Sequence, residues 1–154
     1  MKIFKLKRQQ IIQKPLEEVF EFFSRAENLA KITPESLDFK ILTPLPIEMK
    51  TGALIDYTVK PVLLPIRWTT MITDYNPPNG FIDQQLKGPY NFWHHTHRFE
   101  HTPEGTLITD EVVYALPFGI LGRIAHALFV KRQLRRIFDF RSAVIKTIFD
   151  ENEN

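Results

Sequence analysis

The chain has 154 residues, with 20 Lys and Arg against 18 Asp and Glu, 44% apolar residues and no cysteine, which is the profile of one ordinary globular domain. A charged fraction of 25% beside that apolar content excludes a disordered chain and a collagen-like repeat, and the lack of cysteine excludes a disulfide scaffold, thiol nucleophiles, Cys-ligated zinc and iron–sulfur clusters. No stretch approaches the roughly 20 apolar residues of a spanning helix, and the first residues lack the apolar run of a signal peptide, so the expectation is a soluble, cytoplasmic protein.

In chain order, residues 3–13 read as a strand. Residues 15–23 then form a short amphipathic helix, with Pro15 at its start, Glu17 and Glu18 in the first turn and Leu16, Val19, Phe20 and Phe23 on one side. A second helical turn covers 26–32 and stops at Thr33-Pro34. Strands follow at 37–43, 53–60, 66–73 and 81–87, marked by alternation such as Ala53, Ile55, Tyr57 and Val59 against Asp56, Thr58 and Lys60. The Asn76 to Gly80 segment and Gly88-Pro89 are turns, and 91–101 with 106–115 form a hairpin around Pro103-Glu104-Gly105.

All 11 prolines lie at or before Pro117, so a long uninterrupted helix belongs to the last part of the chain. From about 120 to 149, Leu121, Ile124, Leu128, Leu134, Ile137, Phe138, Val144, Ile145 and Ile148 recur near helical period as one wide apolar face. Such a helix is on the order of 45 Å long and needs a broad surface to lie on. Charge is uneven: residues 1–120 hold 13 basic and 14 acidic groups, residues 121–154 hold 7 and 4. The expectation is a single domain over 1–150, a polar tail at 151–154, and a gap between a curled antiparallel sheet of about seven strands and the long helix.

Several motifs share this order: Pro15-x-x-Glu18-Val19-Phe20-x-Phe22-Phe23, Gly52-Ala53-x-Ile55-Asp56-Tyr57, Trp68-x-Thr70-x-Ile72, Phe81-x-Asp83-x-Gln85-x-x-Gly88-Pro89-Tyr90-x-x-Trp93-x-His95-x-His97-x-Phe99, Asp110-x-Val112-x-Tyr114 and Pro117-x-Gly119-x-Leu121-Gly122. With them, nearly the whole chain resembles the START-like, or SRPBCC, superfamily, which includes pollen-allergen-like lipid carriers and polyketide aromatase/cyclases. It is similar to a bacterial subgroup described as ligand-binding or cyclase/dehydrase-like. The resemblance implies an α+β helix-grip fold, with two short helices after strand 1 and the sheet wrapped on the C-terminal helix. It implies function far less narrowly, because carriers, sensors and enzymes share that cavity.

A two-residue turn at Glu104-Gly105 would set Phe99 opposite Asp110, His97 opposite Val112 and His95 opposite Tyr114, gathering these with Trp93 on one inward face. A three-residue connection at Gly88-Pro89 would align Asp83 with His95 and Gln85 with Trp93, adding Trp68 and Ile72 to the wall. His95, His97, Asp83, Asp110 and Tyr114 then admit four readings: a general acid–base set acting on a carbonyl substrate, a metal site on His95-x-His97, ligand-orienting groups in an apolar pocket, or hydrogen-bonded core pairs. His101 lies further along the strand and no clear third ligand stands close, so no metal is assigned, and no cofactor motif is present.

The favoured reading is a non-enzymatic pocket for a small hydrophobic or aromatic molecule, lipid-like or polyketide-like. Its candidate lining is Tyr57, Trp68, Asp83, Gln85, Trp93, His95, His97, Phe99, Asp110, Tyr114, Leu134 and Phe138. The runner-up is a cyclase, dehydratase or isomerase whose candidate catalytic groups are His95, His97, Asp110 and Tyr114. The third is a lipid-handling accessory that makes weak contact with anionic membranes through Lys131, Arg132, Arg135 and Arg136. His94 falls on the outer face and His126 reads as helix packing. A net charge of +2 without a groove-reading motif argues against nucleic acid.

Overall fold

The computed structural model describes residues 1–151. Its elements are β1 (Phe4–Ile12), α1 (Leu16–Phe23), two 3-10 turns (Ala26–Ala30 and Glu35–Leu37), β2 (Lys40–Ile41), β3 (Leu54–Val59), β4 (Ile66–Asn76), β5 (Gly80–Lys87), β6 (Phe92–Thr102), β7 (Gly105–Ala115), α2 (Gly119–Ala125), a π-helical segment (His126–Val130) and α3 (Lys131–Glu151). Seven antiparallel strands form one sheet in the order β1-β7-β6-β5-β4-β3-β2. The chain therefore meanders from β2 to β7 and returns β1 to the far edge. Of the expected polar tail, Glu151 still belongs to α3, and the rest lies outside the described residues.

Sheet curvature has a local cause. β4 shifts register against β5 between Thr69 and Thr70 and again between Ile72 and Asp74, and each irregularity bends and further twists the strand. The long helix lies across the concave side. Gln10 Nε2 donates to the Ser142 carbonyl at 2.7 Å and Arg8 pairs with Asp139 at 2.5 Å, fixing α3 to the β1 edge.

The β6–β7 hairpin closes at Thr102↔Gly105, so its two turn residues are Pro103 and Glu104, and its pairs are Phe99↔Ile108, His97↔Asp110, His95↔Val112 and Trp93↔Tyr114. This differs by two positions from the sequence expectation, and an even slip leaves every side chain on its expected face. Gly105 explains the shift: it has φ of 139°, and a Cβ there would lie 2.2 Å from the Ile12 carbonyl oxygen. Only glycine fits the ladder at that close approach.

Two apolar clusters fill the interior. One gathers Val19, Phe20 and Phe23 of α1 with Ile72, Phe81, Phe99, Ile145 and Phe149; the other gathers Trp68, Trp93, Val112 and Tyr114 with Leu134 and Phe138. The buried stripe of α3 is Leu134, Phe138, Arg141, Ile145 and Phe149, spaced by four and three as a helix face requires. Four of these five positions are apolar; the fifth is an arginine held between the two clusters.

The helical path from Gly119 onward is not the single apolar face expected from sequence. Leu121, Ile124 and Leu128 are exposed, while the buried positions before α3 are Gly122 and His126. The π-helical segment accounts for the change, since a π turn carries an extra residue and shifts the phase of everything before it.

Candidate ligand-binding site

A cavity of about 230 Å³ opens between the sheet, α3 and the two 3-10 turns. Its apolar wall includes Leu29, Ile55, Trp68, Ile72, Trp93, Ile137 and Phe138, and its polar points include Tyr57, Thr70, Asp83, His95, His97 and Arg141. The volume lies just under the roughly 300–1,000 Å³ of small-molecule sites, and the composition matches their pattern of apolar walls with few polar groups.

Alternation along β5, β6 and β7 assembles the polar points. Asp83 pairs with His95 across β5 and β6, and His97 pairs with Asp110 across β6 and β7, so the four side chains meet on the inner face. His95 Nε2–H donates to Asp110 Oδ1 at 2.8 Å, and His97 Nε2–H donates to Asp83 Oδ2 at 2.5 Å. The rings lie against one another with centroids 3.7 Å apart. Arg141 reaches down from α3 to Asp110 Oδ1 at 3.3 Å, its guanidinium 5.5 Å from the Phe23 ring centroid and 5.7 Å from that of Phe138.

Electrostatics divides the two imidazoles. Burial and the neighbouring His97 hold His95 below its ordinary value, despite its aspartates. For His97, burial also opposes charging, but hydrogen bonds to Asp110 and Asp83 outweigh it and raise the pKa. Burial works against Asp110 ionisation too, and Arg141 with both histidines overcomes it, leaving the carboxyl well below its usual range. Asp83 is likewise lowered, its burial outweighed by His95, His97 and Arg141. With His97 protonated and His95 neutral, two carboxylates face one guanidinium and one imidazolium. The buried cluster is then neutral, as a low-dielectric interior demands.

Asp83, His95 and His97 each offer a ligand atom, all within 4.8 Å of one another, which is near enough to share a cation. Yet Asp83 Oδ2 and His97 Nε2 are 2.5 Å apart, shorter than the separation of about 3 Å between ligands that each sit roughly 2.0–2.1 Å from one metal. A dication would also unbalance a cluster that one proton neutralises. The arrangement suits a shared proton.

Of the residues expected from sequence to line a pocket, Tyr57, Trp68, Asp83, Trp93, His95, His97, Leu134 and Phe138 border the cavity. Asp110 stands behind the histidines and orients them. Gln85 instead closes the β5–β6 connection, its amide donating to the Tyr90 carbonyl at 2.7 Å while the Tyr90 N–H donates to its Oε1 at 3.2 Å. Phe99 packs among Phe20, Phe23 and Phe81. Tyr114 is bonded to His126 at 2.8 Å, away from the other acid–base candidates, and His126 stacks on Phe4 with centroids 3.5 Å apart. Sequence reasoning missed Arg141, although a charged residue on the stripe 134-138-141-145-149 is a readable signal.

The comparisons agree with this geometry. Residues 12–139 match the family model described as polyketide cyclase/dehydrase and lipid transport. The chain belongs to this family. Among solved structures, the aromatase/cyclase ZhuI from Streptomyces sp. R1128 superposes with a TM-score of 0.78 at 14% identity, over 99% of this chain and 97% of that one. The protein TTHA0849 from Thermus thermophilus gives 0.77 at 14% identity, over 97% and 99%. A norcoclaurine synthase point mutant from Thalictrum flavum, in complex with a transition-state analogue, gives 0.69 at 13% identity, over 99% and 97%. Identities this low establish the helix-grip fold and nothing finer. No curated protein sequence matches the chain. Among the described residues, no helix is long and apolar enough to cross a membrane.

Proposed function

We propose that the chain binds a small, mainly apolar molecule carrying oxygen acceptors, aromatic or polyketide-like, within the cavity. One observation carries this reading. Three buried polar atoms lack a hydrogen-bond partner, Trp68 Nε1, Thr70 Oγ1 and Arg141 Nε, and all three residues border the same cavity. An unmet buried polar group costs about 1–3 kcal/mol, so three of them in one cavity describe the complement of a ligand. Apolar walls contribute affinity at about 25 cal/mol per Å² buried, and the polar atoms set direction.

The chain contains two tryptophans, so its nitrogen–proton spectrum has two indole signals, and Trp68 Nε1–H reports occupancy directly. Titration with 2-naphthol is expected to move the Trp68 signal to lower field and to saturate at about tenfold lower concentration than naphthalene, the same framework without the hydroxyl. Equal affinity for both, or an unmoved Trp68 signal at saturation, overturns the reading.

Proton transfer on a carbonyl ligand is the second reading, and it rests on the opposite shifts of His95 and His97. Two adjacent imidazoles shifted in opposite directions in one wall suit an acid–base pair. Turnover of a β-dicarbonyl compound that is lost in His97→Gln, with folding intact, tests it against binding alone.

A further inference from the structure

α2 and the π-helical segment are amphipathic in the reverse sense. Their contacts with the body are made by Gly122 and His126, both buried. Gly122 is confined to that role, because a Cβ there would lie 2.0 Å from the Pro117 carbonyl oxygen. The large apolar side chains point the other way: Phe118, Ile120, Leu121, Ile124, Leu128 and Phe129 are between 48% and 81% exposed. A second exposed group, Val62, Leu63 and Leu64, caps the β3–β4 connection. Gln133 Nε2 of α3 donates to the Pro61 carbonyl at 2.9 Å, which ties this loop to the first turn of α3, just after the π-helical segment.

The charge next to them along the chain has one sign. Residues 112–138 contain Arg123, Lys131, Arg132, Arg135 and Arg136 and no acidic residue, and Lys60 is the only charged residue between Asp56 and Arg67. Contiguous exposed apolar surface marks a contact site. A second copy of this chain would bring like charges face to face, whereas an anionic bilayer offers apolar depth beneath negative headgroups. We propose that α2, the π-helical segment and the Val62 to Leu64 loop dock on anionic lipid bilayers, with the apolar side chains seated below the headgroups and the arginines among the phosphates. Pro61, Gln133 and Ile137 border the cavity as well, so docking sets the cavity rim against the lipid. The surface stands independently of what the cavity holds.

Flotation of the full chain with phosphatidylcholine–phosphatidylglycerol vesicles tests this, with phosphatidylcholine vesicles as the comparison. Binding to the mixed vesicles alone is expected, with the double variant Leu121→Gln, Leu128→Gln weakening partition about a hundredfold, since each leucine removed accounts for roughly a factor of ten or more. Both side chains are water-exposed, so the variant keeps its thermal transition, and Leu63→Gln with Leu64→Gln supplies a second variant on a different element with the same expected direction. Failure to bind mixed vesicles overturns the proposal. So does binding that both variants leave unchanged and that only charge reversal at Arg132, Arg135 and Arg136 removes. A dimer in sedimentation velocity that Leu121→Gln, Leu128→Gln dissolves would reassign the face to self-association.

Discussion

The interior divides into two halves that differ in what fills them. At the α1 end, Phe20 meets Phe81 and Phe99 edge-on and Phe23 tilts against Phe99, and the ring-to-ring packing closes the space around Phe20 and Phe99. At the other end, Trp68 and Trp93 stand edge to face at 5.3 Å beside a cavity, and the boundary is the Asp83, His95, His97, Asp110 and Arg141 network. The first half is held by shape and dispersion, which are indifferent to pH. The boundary is held by charge balance, which is not.

The largest expected effect tests the packed half. Phe99 is 1% exposed, so Phe99→Ala should cost about 3–5 kcal/mol by transfer and cavity terms. Urea unfolding should show that loss unchanged across neutral and mildly alkaline pH, with the Trp68 response to 2-naphthol retained in the folded protein. A loss that varies with pH would merge the two halves.

Arg141→Met tests the boundary. Removing one partner from a buried ionic cluster costs roughly 3 kcal/mol or more, and Asp110 is left with the histidines alone. The variant should recover part of its stability in mildly acidic solution, because His95 can then take up the proton that replaces the lost guanidinium. A flat penalty across pH would make Arg141 merely a packing residue.

The wild-type pH profile follows from the shifts. Asp83 and Asp110 are lowered, so their stabilisation is complete above their unfolded value near 3.8 and drains away as pH falls through the folded values. His95 is lowered from 6.5, so its contribution is complete above that value and declines below it. His97 is raised from 6.5, so its contribution is complete below that value and is lost as pH climbs through the folded value. His97→Gln should therefore flatten the alkaline side of the stability curve and, because His97 helps lower Asp83 and Asp110, soften the acid side as well. An unchanged alkaline slope would remove the imidazolium from the network.

Much of this was legible in the sequence, for definite reasons. Proline stops at Pro117, so the long helix has one place to go, and alternation through 91–101 and 106–115 puts His95, His97 and Asp110 on one face for any turn that shifts the register by an even number of residues. Tertiary features were not legible. The two-residue change in hairpin register depends on Gly105 packing against the Ile12 carbonyl, a contact across the fold. The π turn at 126–130 is invisible to a 3.6-residue period, which is why Leu121, Ile124 and Leu128 read as core and emerged at the surface. Gln85 and Tyr114 share the site's strand faces, yet local partners, Tyr90 and His126, claim them.

The smallest effect decides whether Tyr114 belongs to the boundary or to the scaffold behind it. Its hydroxyl meets His126, whose ring stacks on Phe4, and burial pushes the phenol above and the imidazole below their ordinary values. Tyr114→Phe removes one neutral hydrogen bond and keeps the ring, so it should cost about 1 kcal/mol. The loss should be seen mainly as faster amide exchange in α2 and the π-helical segment, which that bond ties to β7. Binding of 2-naphthol should be unchanged, because Tyr114 does not border the cavity. If Tyr114→Phe instead weakened binding of 2-naphthol, the hydroxyl would have to turn inward when the cavity fills, and the acid–base set would gain the phenol that this structure assigns to the helix.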